Sequence, residues 1–481
     1  MQVYALHPII PHIRANGKSL SLWVLAMHLG RAIMGGDKEN AMPKILIRDV
    51  DVITLDEQGT VLRQAELAIA DGRLVAVGQV PAGFQPDETV DGHNRVAMPG
   101  FFNAHTHAAM TLVRGWADDL PLDRWFNERI WVAESALEEE DVTWGAALAA
   151  AEMIRSGTVG FADHYFWMDQ VARVVEESGL RATLAWCVFG LEKGEIGTDL
   201  PGTVEFVQRW QGAADGRIRT VLGPHSPYVC SPQFLARTAA VAARLGVGIH
   251  THLSESQEQV DNSLQRYDRT PVELLEANGI LNVPTIAAHC IYLQQWEMRI
   301  LAERSVHVVQ CPNCHMKLGM GTTAVRQLLE HGVNVALGTD GAASNNDLDM
   351  LEEARLASLI QKHDRRDPEA LPGDLALRMA TRNGARACGF PESGVLAPGY
   401  AADLILFDFD KPHLWPRHDL VSNVLYAAKS PDVSDVMVAG RWLMRDGELL
   451  TLDEERIRHE AERRALRMVG SEMKMVRAYQ G

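Results

Sequence analysis

The segment MPGFFNAHTH, residues 98–107, sets the reading of the whole chain. A short apolar run stops on polar side chains, the profile of a strand buried along its length with a polar rim at one end. Seven further segments repeat it: GTVGFADHYF (157–166), RATLAWCVFG (181–190), IRTVLGPHSPY (218–228), VGIHTHLSE (247–255), TIAAHC (285–290), HVVQCPNC (307–314) and NVALGTD (334–340). Between them lie helical patterns such as EDVTWGAALAAAEMIRSG at 140–157 and PQFLARTAAVAARLG at 232–246. Strands alternating with helices give βα units and a parallel sheet. Eight units predict an α/β fold, a (β/α)8 TIM-like barrel whose polar strand ends form the catalytic face. No 20- to 50-residue repeat with a fixed consensus appears, which argues against a solenoid.

Working outward, the pattern changes on both sides. ILIRDVDVITL (45–55) and AELAIADGRLVAVG (65–78) precede the barrel, and AADLILFDF (401–409) and VSDVMVAGRWLMRDGEL (433–449) follow it. These are short β runs joined by Gly- and Asp-containing turns. The expected organisation is residues 42–97 and 395–450 as two parts of one small β-sandwich, with the barrel over 98–394. Residues 451–481 are expected to be a C-terminal helical segment. The apolar run LSLWVLAMHLG (20–30) superficially resembles a signal peptide, but it is too short to span a bilayer and no clean small-x-small cleavage site precedes Met42. Residues 1–41 are expected to be an extension outside the fold.

Composition limits the partners. The 481 residues are 47% hydrophobic and 23% charged, as in a core-forming chain, and the net charge is −17. Phosphate backbones need a concentrated basic surface, so the acidity argues against nucleic acid and for a small-molecule partner. Six scattered cysteines make no disulfide framework and read as reduced thiols of a cytoplasmic protein, with no membrane association. Oligomeric state stays open, a homo-oligomer included.

His105 and His107 lie two apart on one strand, so both imidazoles can face the barrel axis. Two converging imidazoles are the start of a zinc site, though HxH alone is a weak signal. Position strengthens it: His252, His289 and Asp340 close the fifth, sixth and eighth strand candidates. Each would be costly in a buried strand unless a metal or partner satisfied it.

The chain resembles the amidohydrolase superfamily, and within it the 5′-methylthioadenosine/S-adenosylhomocysteine deaminase-like branch that deaminates adenosine-type nucleosides. The resemblance spans about residues 42–456. It rests on PGFFNAHTHAAMTLVRGWADDLP, EMIRSGTVGFADHYF, GPHSPY, THLSES, AAHC, LGTDGAASNNDLDM and APGYAADLILFD. It implies that His105, His107, His252 and Asp340 bind one divalent metal, zinc first, with Fe²⁺ or Mn²⁺ compatible with the same donors. The fourth strand offers no lysine to form the bridging carbamate of binuclear relatives, so one ion is expected. The resemblance gives Asp340 the water's proton, Glu255 the role of general acid, and His289 the orientation of the attacking water. His225, Trp125 and Glu134 resemble substrate-contacting positions, Glu134 accepting the ribose hydroxyls; Glu255 and His289 would also contact substrate.

The implied reaction replaces the 6-amino group of an adenosine-type nucleoside and releases ammonia. The third strand ends WCVFGLEKGE, without the arginines expected for a homocysteine carboxylate, which favours 5′-methylthioadenosine, 5′-deoxyadenosine or adenosine over S-adenosylhomocysteine. The alternative on this scaffold is a free aminated heterocycle such as guanine or a triazine. A metal-free scaffold protein is the third reading, opposed by the presence of all four ligands. Cys311 and Cys314 form a CxxC without a second ligand pair and read as structural or pocket-lining. His250 makes a second HxH, but the HxxE spacing selects His252; His164 reads as a core or pocket residue.

Overall fold

The computed structural model describes residues 42–192 and 194–479. The expected extension at residues 1–41 lies outside the described residues, as do the last two residues of the C-terminal segment. Before the barrel come β1 (Ile45–Ile53), β2 (Val61–Ala70), β3 (Arg73–Gly78), β4 (Glu88–Asp91) and β5 (Arg95–Pro99). The barrel is built from β6 (Phe101–Thr106), β7 (Thr158–Tyr165), β8 (Arg181–Leu191), β10 (Ile218–Pro224), β11 (Ile249–Leu253), β12 (Thr285–His289), β13 (His307–Gln310) and β14 (Asn334–Leu337). A short β9 (Gly194–Gly197) folds back antiparallel on β8. After the barrel come β15 (Leu404–Asp408), β16 (Val433–Val438), β17 (Arg441–Arg445) and β18 (Glu448–Leu449).

All eight expected barrel strands are present, paired in parallel in the order β6-β7-β8-β10-β11-β12-β13-β14. Helices cover such a sheet outside and side chains fill it inside, so β6 and β7 are buried at every position. The gap between β14 and β6 is bridged by residues just past the end of β14. Asp340 N–H donates to His105 O at 3.0 Å, and Asn103 exchanges bonds with Thr339 at 2.7 and 3.1 Å. Gly338 permits that approach: a Cβ there would meet His105 O at 2.7 Å and its N at 2.8 Å.

The helices follow local chemistry. Ser231 caps the N-terminus of Pro232–Leu245, and Gly246, at φ +68°, ends it. Glu139–Arg155 buries an alanine-rich face, and its Gly145 sits so close to Ala109 that a Cβ would meet the Ala109 carbonyl at 2.6 Å. That contact seats the helix against the segment following His107.

The flanking strands form one continuous sheet, β18-β17-β16-β15-β5-β1-β2-β3, with β4 beside β1. Strands from the two chain ends meet where β5 pairs antiparallel with β15. One set of side chains, including Ile47, Leu67, Leu404 and Leu406, makes a small core of its own, while Ile405 and Phe407 join the barrel core. Arg181 on β8 grips Asp403 beside β15 through two bonds of 2.6 and 3.0 Å, both residues buried. The helix Glu454–Tyr479 packs on Glu139–Arg155. Among the described residues no helix is long and apolar enough to cross a membrane.

Candidate metal centre

The C-terminal rim of the barrel gathers four of the side chains marked by the sequence. His107 Nε2 lies 3.1 Å from Asp340 Oδ1 and 3.4 Å from His252 Nε2. His105 Nε2 lies 3.4 Å from the same Asp340 oxygen, yet is buried with no hydrogen-bond partner. Tetrahedral ligands on metal bonds of about 2.0–2.1 Å stand roughly 3.3 Å apart, so these separations fit the edges of a coordination shell. The donor set of three imidazoles and one carboxylate suits a borderline divalent ion.

The outer nitrogens are fixed to match. His107 Nδ1 meets the His164 carbonyl at 2.6 Å and His252 Nδ1 the His225 carbonyl at 2.8 Å, so both donate outward and present Nε2 lone pairs inward. His105 Nδ1 reaches His250 Nε2 at 2.9 Å in place of a carbonyl. Giving His105 Nε2 to a metal then leaves an unpaired proton on buried His250 Nδ1, a cost of about 1–3 kcal/mol borne by the metal bond. Asp340 Oδ2 is tied back by Ser344 at 2.8 Å and Cys314 at 3.0 Å, which leaves Oδ1 for the centre.

Electrostatics agree with a cation here. Burial and neighbouring imidazoles hold His105 well below its ordinary range, and the same causes push His252 down to about 4, the neutral ligand form. Burial opposes charge on His107 as well, but the bond to Asp340 overrides it and lifts His107 to about 9. Asp340 is itself held well below the usual carboxylate range by His105 and His107 despite burial, so the centre favours positive charge beside it.

Beside this cluster His289 Nε2 stands 3.2 Å from Glu255 Oε2. Tyr228 and Gln259 both donate to Glu255 Oε1, at 2.7 and 2.6 Å. Above lies a pocket walled by Trp125, Phe126, Trp131, Phe166, Phe189 and Leu318. Trp125 is buried, its Nε1 donating to the Ala343 carbonyl at 3.3 Å. Glu134 faces the same pocket, and Tyr165 donates to its Oε1 at 2.7 Å. Burial pushes Glu134 up to about 7, against the pull of Tyr165 and His107. His225 is stacked between Phe189 and His252, with ring centres 4.7 and 4.5 Å away.

All the marked residues except His105 line one cavity; His105 is fully buried beside Asp340 at its floor. His164 also lines it, as does Cys314, while Cys311 is buried behind. The supporting partners were missed: Tyr165, Tyr228, Gln259, Ser344 and the pairing of His250 with His105. Tyr228 and Tyr165 stand in quoted strand-end segments, which was the available signal.

An eight-stranded parallel barrel with such a rim defines a metal-dependent hydrolase. The chain belongs to the amidohydrolase family, which it matches over residues 96–443. It is 48% identical over 434 residues to a 5-methylthioadenosine/S-adenosylhomocysteine deaminase of Pelotomaculum thermopropionicum, covering 90% of this chain and 100% of the relative. It is 44% identical to a 5′-deoxyadenosine deaminase of Methanosarcina mazei, covering 89% and 99%. A crystal structure of an adenosine deaminase from Xanthomonas campestris with bound zinc superposes with a TM-score of 0.84 at 34% identity, covering 89% of this chain and 98% of that one.

Proposed function

We propose that this chain is a hydrolytic deaminase that converts the 6-amino group of an adenosine-type nucleoside to the 6-oxo group of the inosine analogue, releasing ammonia. The observation that carries the reading is the joining of two sets at one site: the His105, His107, His252 and Asp340 cluster with Glu255 and His289 beside it, and Glu134 on an aromatic wall. The names borne by its relatives support the same chemistry.

His105, His107, His252 and Asp340 would hold one divalent ion, zinc in the first place. When bound, that ion lowers the pKa of a coordinated water towards ~7 and so supplies a nucleophile at neutral pH. Asp340 accepts a proton from the attacking water, and His289 orients that water towards C6 of the purine. Glu255 gives its proton to the adjacent ring nitrogen, held for that transfer by Tyr228 and Gln259. Asp340 passes its proton to the amino group, which leaves as ammonia, and the new hydroxyl returns a proton to Glu255 as the carbonyl forms. Trp125 and His225 confine the base, while Glu134 accepts the ribose hydroxyls.

The described pocket wall contains no lysine or arginine. A free homocysteine carboxylate finds no cation there, so 5′-methylthioadenosine, 5′-deoxyadenosine and adenosine are the preferred substrates. Ammonia release from these three, S-adenosylhomocysteine, guanine and cytosine is the direct test. Turnover is expected for the adenosine-type compounds, and none with any of them would sink the assignment. In the Glu134→Ala enzyme, nucleoside turnover should fall far more than any free-base turnover; equal losses would favour a free aminated heterocycle.

A further inference from the structure

The His289 ring is held on both sides. Its Nε2 faces Glu255 Oε2 at 3.2 Å, and its Nδ1 lies 3.1 Å from Nε2 of His315. His289 and His315 are 2% and 1% exposed, so neither contact is shared with bulk water. A neutral imidazole carries one proton, and the nitrogen that holds it decides what the ring can do.

The surroundings of His289 put its proton on Nε2. Glu255 Oε1 already accepts from Tyr228 and Gln259, which leaves Oε2 to meet the ring, and once Glu255 has given its proton away that oxygen pairs with an opposing N–H. On the far side, His315 Nδ1 is buried without a partner. No metal bond compensates His315, and an orphaned buried donor is rarer than an unpaired acceptor. Its proton therefore belongs on Nε2, where it is donated to His289 Nδ1. The backbone keeps both rings in place: His315 N–H bonds to the Cys311 carbonyl at 3.0 Å, and Thr323 Oγ1 donates to the His289 carbonyl at 2.8 Å.

We propose that His315 is a positioning residue which, by donating to His289 Nδ1, locks His289 in the tautomer whose Nε2–H faces Glu255 and the attacking water. The proposal rests on the deaminase reading above. In this tautomer His289 offers an N–H to the oxygen on which negative charge builds, stabilising that charge as well as aiming the water. It also protects the proton of Glu255. A lone pair at His289 Nε2 would compete with the purine ring nitrogen for it.

The test compares wild type with His315→Leu and His315→Gln for zinc content, ammonia-release kinetics and ¹⁵N shifts of labelled imidazoles, with His289→Asn used to assign the His289 signals. His315→Leu should keep one zinc and its fold, show kcat lowered about 10- to 100-fold with KM little changed, and lose the pure Nε2–H signature. His315→Gln, which keeps an N–H donor at similar reach, should recover most of the rate. Unchanged kcat and tautomer in His315→Leu would overturn the proposal, as would a His315→Gln enzyme no faster than His315→Leu. Zinc lost in step with activity would also overturn it, because His289, Cys311 and His315 bring ligand atoms within 4.8 Å of one another and would then be holding an ion themselves. If wild type deaminates no adenosine-type nucleoside, the deaminase reading fails, while the tautomer signal still judges His315.

Discussion

Glu134 shows how a carboxylate proposed for substrate binding strains its own surroundings. Half-buried beside Tyr165, it is pushed by burial to about 7 in the folded chain from an ordinary value of 4.5. A raised folded-state pKa contributes stability that is fully present below about pH 4.5 and lost as pH rises through about 7. Glu134→Gln removes that titration. The melting temperature of the variant relative to wild type should therefore rise between pH 5 and pH 8; a gap independent of pH would show that the carboxylate is not desolvated. The gain should come with weaker nucleoside binding, because a neutral amide accepts the ribose hydroxyls less strongly.

At the scale of elements, the strand ends decide the site. Gly338 follows β14 and lies against the backbone of His105 at the end of β6. Gly338→Ala should push the two apart, costing about 1–3 kcal/mol of stability and loosening His105 from the cluster. Chelator competition should then strip metal faster than from wild type, and an unchanged rate would mean that the seam tolerates the methyl group. The eight barrel strands were legible because parallel strands buried on both faces must be apolar, so a polar residue at the end of each run stands out. His105, His107, His252, His289 and Asp340 were picked out as candidates in that way. Their supporting partners were not. Most come from distant segments that only the folded barrel brings together: His250 is 145 residues from His105, Tyr165 is 31 from Glu134, and Tyr228 is 27 from Glu255. Gln259 and Ser344 lie only four residues from Glu255 and Asp340, where they read as ordinary polar residues. No local periodicity encodes such pairings.

For the whole molecule, Arg181 and Asp403 pin the join between barrel and flanking sheet that Ile405 and Phe407 pack. Asp403 is also bonded to Ser393 Oγ at 2.5 Å and to the Ala439 N–H at 2.7 Å, so one carboxylate ties β8 to three parts of the returning chain. Asp403→Ala leaves a buried guanidinium without its counter-charge and should cost about 3–5 kcal/mol, read as a lower denaturation midpoint. Replacing both partners by apolar residues should recover much of that loss. A single-variant loss of only about 0–1 kcal/mol, the worth of a surface pair, would remove the join from the account. The two β-rich blocks were legible as patterns, and the adjacency of β5 and β15 makes them one continuous sheet.

That adjacency has a consequence for synthesis on the ribosome. β5 emerges with its partner strand still unmade, and roughly 300 residues separate Pro99 from Leu404. At about 5–20 residues per second, one edge of β5 waits on the order of 15–60 s for the strand that covers it. During that interval the nascent chain presents an open hydrogen-bonding edge to its neighbours on the same message. Yield in the cell should accordingly depend on what shields that edge as well as on the stability of the finished fold.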